Sequence, residues 1–534
     1  MSDKPRLLMC AESSNIKSGF GLYTREILSR LYKTNLFDIA ELSCYHTIES
    51  PKNVPWKVYP VAVNRDHPDY TKYQTNAINA FGLWRFDKTV LDFRPDIVFD
   101  IRDFWMFSYQ EMSPLKPYFH WVIAPTVDSL PQKNEWMMTF SNADLVLAHT
   151  DWAIDYLKDS NRDIITGKSV SDSVDTDNFA PLSYTKQYHK NKYLIPPNSF
   201  VIGSVMRNQK RKLIPNLMNV LQKLIQFTND KNIFLYLHTS YPELNGWEIP
   251  DLIQEYNLHN NILFTYYCNA CKQAHGSVYQ GVSKICPHCK NSRCRLPSVQ
   301  DGLSDNQMAD IYNLFDYYVQ YAICEGLGIP QLEAASCGIP VCSVDYSAMS
   351  EVTSNIDGFK ISYALYRELE TNAMRAIPND SHLVQIIYDY MRLDVKEKEK
   401  ISQKMRDNIF AKYSWDKTAD VLIEQLLKLK PKRIWDRPLI TNHTAKVPSE
   451  LSNRQFIYFI VHEVIRSPHI WKTNFVQEII KNLDQGFIIK QGLIPYDRQS
   501  AIKNLESYLN HKMSLEKIRS KEITLTDDFL SYAP

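Results

Sequence analysis

The sequence predicts an α/β protein in which two doubly wound domains face each other across a cleft, with a cysteine-bearing insertion in the second and a helical appendage at the carboxyl end. Three observations predict it. The chain has 534 residues, too many for one compact core and enough for two or three domains. Short apolar runs of strand length alternate, in both halves, with stretches whose apolar residues recur at helical spacing. Two glycine-bearing loops, Gly19-Phe-Gly21 and Gly326-Leu-Gly328, each lie between such a run and a helix.

Composition narrows the function classes. Lys and Arg number 61 against 60 Asp and Glu, so the formal charge of +1 exerts no global pull on nucleic acid or acidic membrane, and such a partner needs a local patch. No apolar run reaches the ~18 residues of a membrane span. Met1-Ser-Asp-Lys-Pro-Arg6 leads straight into a strand rather than a signal peptide, so a cytoplasmic protein is the expectation. Of the 10 cysteines half fall between 268 and 294, which does not suggest a disulfide framework. The sequon Asn442-His-Thr444 is then expected to be idle.

In chain order, residues 6–11 read as a buried parallel strand and residues 13–21 as the loop after it. Tyr23, Ile27, Leu28 and Leu31 mark one face of the next helix. Strand, glycine loop and helix open a Rossmann-like unit. Apolar strands follow at 96–99, 120–124 and 145–148, and the first domain is expected to span 1–185. The second, 186–430, opens with a strand at 200–205 and a basic loop. Leu213, Leu217, Val220, Leu221 and Leu224 then stripe a helix. Strands at 233–237 and 262–265 precede a helix with the capping box Ser304-Asp-Asn-Gln307, and a strand at 317–321 leads into the second glycine loop.

That loop carries the main signal. Glu325 and Glu333, with seven residues between them, bracket Gly326-Leu-Gly328-Ile329-Pro330-Gln331-Leu332, and Gly338 and Pro340 follow. Glycines admit a ligand close to the backbone, Pro330 suits the first turn of a helix, and a helix start attracts a diphosphate. Carboxylates on either side can accept hydrogen bonds from hydroxyls. Phosphate beside polyol suggests a nucleotide sugar. The run resembles the E-x7-E signature of retaining glycosyltransferases of family 4, in the GT-B superfamily. Upstream, Arg207 and Lys212 match the Arg and Lys that this family points at the donor diphosphate, although Met206 replaces its usual glycine. Alone, that basic cluster reads as a solvated face. Gly19 and Gly21 resemble the family's first glycine loop, the segment from Ser173 to Pro181 its domain junction, and Tyr413-Ser-Trp415-Asp416 the start of a late helix that crosses back to the first domain.

Cys268-Asn-Ala-Cys271 and Cys286-Pro-His-Cys289 form two C-x2-C knuckles with fourteen residues between them, a pattern that matches the tetrahedral demand of a structural Zn2+. His275, His288 and Cys294 are alternative ligands. The ribbon, 266–296, is inserted in the second domain, and its Lys272, Lys284, Lys290, Arg293 and Arg295 permit contact with nucleic acid or an acidic partner. A closed set of four cysteines leaves no position for metal catalysis. Residues 431–448 read as a linker and 451–483 and 497–515 as helices, with Phe456, Phe459, Ile460 and Val464 forming a stripe that packs on the core or on a second subunit.

The resemblance implies a retaining transferase that uses a nucleoside diphosphate sugar and no catalytic metal. Glu333 would hold the ribose and Glu325 the donor sugar. Arg207, Lys212 and backbone N–H groups between Gly328 and Gln331 would face the diphosphate. Acceptor selection would belong to the first domain and the ribbon. His120, Asp128, Arg102 and Asp103 are candidate cleft residues without a matched role. The acceptor would be a glycan or a hydroxylated base in nucleic acid. The competing reading is a GT-B protein without turnover that binds nucleic acid or protein through its ribbon.

Overall fold

The computed structural model describes residues 4–47, 53–298 and 302–432. Beyond these it describes 435, 451–464, 471, 474–486 and several positions between 497 and 505. Two parallel α/β sheets form its frame. The first has seven strands in the order β3-β2-β1-β4-β5-β6-β7: β1 Arg6–Glu12, β2 Asp38–Thr47, β3 Lys57–Ala62, β4 Ile97–Asp100, β5 His120–Ile123, β6 Leu145–Ala148 and β7 Thr166–Ser169. Every pairing in it is parallel, so all carboxyl ends lie on one edge. β1 leads into the helix Gly19–Thr34, which buries Tyr23, Ile27, Leu28 and Leu31 as its spacing requires.

The second sheet contains β8 Phe200–Val205, β9 Ile233–His238, β10 Ile262–Cys268, β14 Tyr317–Gln320, β15 Val341–Val344 and β16 Phe359–Ile361, all parallel. The cysteine ribbon adds β11 Ala274–Val278, β12 Ser283–Lys284 and β13 Cys294–Arg295, which are antiparallel. β10 therefore runs three residues further than its apolar pattern suggests, from the sheet into the first knuckle. The Ser304 capping box forms, with both reciprocal hydrogen bonds.

The late chain returns to the first domain. In the helix Trp415–Leu427, Trp415, Ala419, Leu422 and Leu426 share an apolar cluster with Leu7, Tyr23 and Ile27 on one face of the first sheet. On the other face, Phe456 and Ile460 join Val98, Trp121 and Val146, as do Val476 and Ile480 from the helix Asn474–Asp484. The appendage stripe thus packs on the chain's own core, with Phe459 at its margin. The segment expected as a linker is not all linker, since Trp435 is buried and donates its indole N–H to the Pro95 carbonyl at 2.7 Å. The remainder of 436–450 and the expected helix beyond 505 lie outside the described residues. Among the described residues no helix is long and apolar enough to cross a membrane.

Candidate functional site

Parallel sheets bind ligands beyond the carboxyl ends of their strands. The two sheets turn those edges toward each other, and between them lies a cavity of about 350 Å3 with walls from both domains. Lys17, Ser18, Gly19, Leu22 and Arg25 line one side, and Arg207, His238, Thr239, Ile329, Pro330 and Glu333 are among those lining the other. Its volume lies toward the low end of the range of about 300–1,000 Å3 for ligand sites.

The second glycine loop builds one wall. Gly328 adopts φ +94°, which a residue with a Cβ resists, and so turns the chain from β14 into the helix Ile329–Ser336 with Pro330 in its first turn. Ile329, Pro330 and Glu333 then share a helix face by their three- and four-residue spacing. Glu333 accepts a hydrogen bond from the Tyr312 hydroxyl at 2.5 Å. Burial pushes its carboxyl up to about 7, opposed by that hydrogen bond and assisted by the Asp305 charge. Leu332 is core rather than lining. The Gln331 amide donates to the Leu327 carbonyl at 2.8 Å and its N–H to the Gly328 carbonyl at 3.1 Å. With no N–H on Pro330, the expected row of anion-facing donors loses two of its four members.

Glu325 lies deeper, outside the cavity lining and 5% exposed. It pairs with the Lys212 ammonium and with Arg211 at 2.7 Å, and accepts from the Gln320 amide at 2.9 Å. Burial drives its carboxyl upward, but the two cations outweigh burial and hold it at about 2. Burial lowers the Lys212 pKa, with the Glu325 charge opposing. Arg207 does not join this group: it lines the cavity with its side chain 54% exposed and pairs with Glu243. The 3-10 turn Lys210–Lys212 aims Arg211 and Lys212 inward, which made Arg211 invisible to a motif read as Arg and Lys five apart.

The first domain meets this group across the cleft. A Cβ on Gly326 would stand 2.4 Å from Thr126 Cγ2, so the glycine permits the two loops to close together. Asp128 accepts from Arg375 at 2.9 Å and from the Cys324 thiol at 3.2 Å, and thus ties the domains together. Asp103 lies within electrostatic reach of Asp128, Arg211 and His149, and burial raises its pKa, with the Asp128 charge adding. Arg102 is not a cleft residue: fully buried, it pairs with Asp100 and donates to the Phe81 carbonyl at 3.0 Å. His120 is a correction too. It is the first residue of β5, at the edge opposite the cleft, with Nε2 2.9 Å from the Lys430 carbonyl oxygen. A Cβ on Gly19 would stand 3.5 Å from Ile329 Cδ1 across the cavity, whereas Gly21 is packed against the Ile16 carbonyl and serves the loop instead. His149, missed in the sequence, stands at the end of β6 with Nδ1 2.9 Å from Asp172. Its position one residue past a strand's carboxyl end was the available signal.

The sulfur atoms of Cys268, Cys271, Cys286 and Cys289 all lie within 4.8 Å of one another. Two of the separations are 3.6 and 3.7 Å, close to the edge of about 3.8 Å of a tetrahedron with Zn–S bonds of about 2.3 Å. The four thiolates fit a structural zinc ion. Cys294, the alternative ligand, is paired opposite Cys268 in the β10–β13 ladder and stands outside that group of four.

No protein-family model matches the sequence, and no curated protein sequence matches it either. Solved structures do. A sucrose-phosphate synthase from Thermosynechococcus elongatus superimposes with a TM-score of 0.58 at 14% identity, over 80% of this chain and 100% of that one. The fold is GT-B. A glycosyltransferase from Rickettsia africae matches with a TM-score of 0.54 at 15% identity, over 80% and 99% of the two chains. HepE from Anabaena, in complex with UDP-glucose, matches with 0.56 at 13%, over 79% and 100%. This GT-B chain differs from a plain pair of domains by its cysteine ribbon and by the appendage that covers the first sheet.

Proposed function

We propose that the chain is a retaining glycosyltransferase of the family 4 type, which moves a sugar from a nucleoside diphosphate sugar to a hydroxyl acceptor. The observation that carries the reading is the placement of the two glutamates. Glu333 lies on the cavity wall, and Glu325 lies deeper, behind the lining and beside two cations, where the two facing sheets meet. Glu333 accepts hydrogen bonds from the ribose hydroxyls, and Glu325 holds the donor sugar. Lys212 and Arg211, with Arg207 from the cavity edge, take up charge on the diphosphate. The C1–O bond to the β-phosphate breaks and its electron pair goes to the phosphate. The acceptor oxygen bonds to C1 on the same face, and its proton passes to the departing phosphate. Preorganised cations act most strongly on such developing charge, so the reading needs no catalytic metal.

UDP-glucose, the ligand of the HepE complex, is the first donor to test, followed by GDP and ADP sugars. Thermal shift identifies the nucleotide, and NMR of the product formed with glycans, then with hydroxymethylated DNA, identifies the acceptor and the anomer. Product with the donor's anomeric configuration supports the reading. Inverted product overturns retention, and nucleotide binding with neither hydrolysis nor transfer favours a binding module.

A further inference from the structure

The ribbon's place in the sheet determines what it touches. Ile262–Phe264 of β10 pair with Leu235–Leu237 of β9. β11 covers Leu263–Tyr267 on the opposite side. Tyr267 and Cys268 also pair with Arg295 and Cys294, so β13 must lie on the β9 side. It continues the row of β9 past the carboxyl end at His238, directly over the sheet edge where the cavity opens.

The residues that leave β13 enter that cavity. Pro297 and Ser298 line it, and Gly302 and Leu303 follow on the same wall. Pro297, Leu303 and Met308 are apolar, and burial pushes the His238 imidazole down to about 4, so it is uncharged. Thr239 Oγ1 is buried on the same lining without a hydrogen-bond partner among the described residues. Apolar side chains beside an uncharged imidazole and a free hydroxyl suit a nucleobase better than a phosphate.

The return is held from the ribbon. Cys268 on β10 is tied through the four-thiolate node to Cys286 and Cys289, and the Leu296 N–H donates to the Val282 carbonyl at 3.0 Å. The Gln307 amide donates to the Lys272 carbonyl at 2.9 Å, which fixes the first knuckle to the helix bearing Met308. Closing this excursion with a metal removes its conformational freedom.

We infer that the ribbon is a working part of the donor site: its metal-held return, Pro297 and Ser298, forms the wall against which the base of the nucleoside diphosphate packs. This rests on the reading of the cavity as a nucleotide site, and it replaces the expectation that the ribbon serves the acceptor alone. Metal and nucleotide binding are then coupled, each strengthening the other by the same factor.

Calorimetry with UDP, ADP and GDP on the full chain, before and after zinc removal by chelation, tests it. Affinity is expected to fall about tenfold in zinc-depleted protein whose circular dichroism is unchanged, and to return when zinc is restored. Saturating nucleotide should raise zinc affinity by the same factor in a chelator competition. Pro297→Gly, which keeps all four cysteines, should retain zinc and still bind nucleotide several-fold more weakly. This variant decides the matter if chelation unfolds the chain. Unchanged affinity in the folded zinc-free protein, or in Pro297→Gly, would overturn the inference alone. A zinc-loaded protein that binds none of the three nucleotides would overturn the nucleotide reading itself.

Discussion

Lys212→Met removes the ammonium beside Glu325 and keeps most of the side chain's volume. Holding the Glu325 carboxyl at about 2 instead of 4.5 corresponds to about 3 kcal/mol of preference for its ionised form. Breaking a buried pair costs about 3–5 kcal/mol when one charge is left without a partner. Arg211 remains at 2.7 Å, with its side chain 39% exposed and therefore partly screened, so the expected loss of stability at pH 7 is about 2–3 kcal/mol. The sign follows from the depressed carboxyl. Its contribution is fully present above 4.5 and is lost as pH falls toward about 2. The difference between variant and wild type, read from urea unfolding, should therefore narrow over that interval. Turnover should fall about 10²–10³-fold at pH 7, the effect of removing one group that stabilises developing charge. A variant as stable as wild type at pH 7 refutes the energetic role of the pair, and undiminished turnover removes Lys212 from the leaving-group site.

Other outcomes are equally specific. With Glu333 held up at about 7, donor binding should strengthen as pH rises from 6 to 8 and the carboxylate becomes able to accept from a diol; Glu333→Gln should flatten that profile in titrations with UDP-glucose, and a persisting slope would assign the titration elsewhere. Gly326→Ala places a methyl 2.4 Å from Thr126 Cγ2, an overpacking worth about 1–3 kcal/mol that cleft opening relieves. Its turnover should drop and recover in the double variant with Thr126→Ser, whereas failure of that rescue would locate the strain outside this contact. Metal analysis of protein purified without chelator should find one zinc per chain, and none in the variant with Cys268, Cys271, Cys286 and Cys289 all changed to Ser.

Much of the frame is legible in the sequence because buried parallel strands are short apolar runs and their helices carry regular stripes. β1, β8 and the helix Ile214–Thr228 follow directly from that pattern. β2 does not, because its buried residues include Glu41, Ser43 and His46, and the Glu41 carboxylate is satisfied by Ser14 and Trp56, from elsewhere in the fold. Local polarity there reports a tertiary hydrogen-bond network, which no periodicity encodes. The glutamate loop is legible for the opposite reason: positive φ, a proline in the first turn and three- and four-residue spacing are all local constraints. Arg211, Asp103 and His149 depend on how a turn rotates and on which strand ends meet across the cleft. His120 shows the cost of naming a strand residue without asking which end of the strand it occupies.

The return of the late chain to the first sheet sets the order in which the two domains are completed. Trp415, Leu422 and Leu426 help cover one of its faces, and Phe456, Ile460, Val476 and Ile480 help cover the other. A nascent chain that has emerged only as far as residue 414 carries the whole first sheet and its own helices, but not these late contributions to either face. The second domain's sheet is complete by then, so the first domain, though synthesised earlier, is the one completed last. Until the residues beyond 414 arrive, the first sheet lacks part of its apolar cover, and it is there that a chaperone or a misassembled neighbour would find its hold.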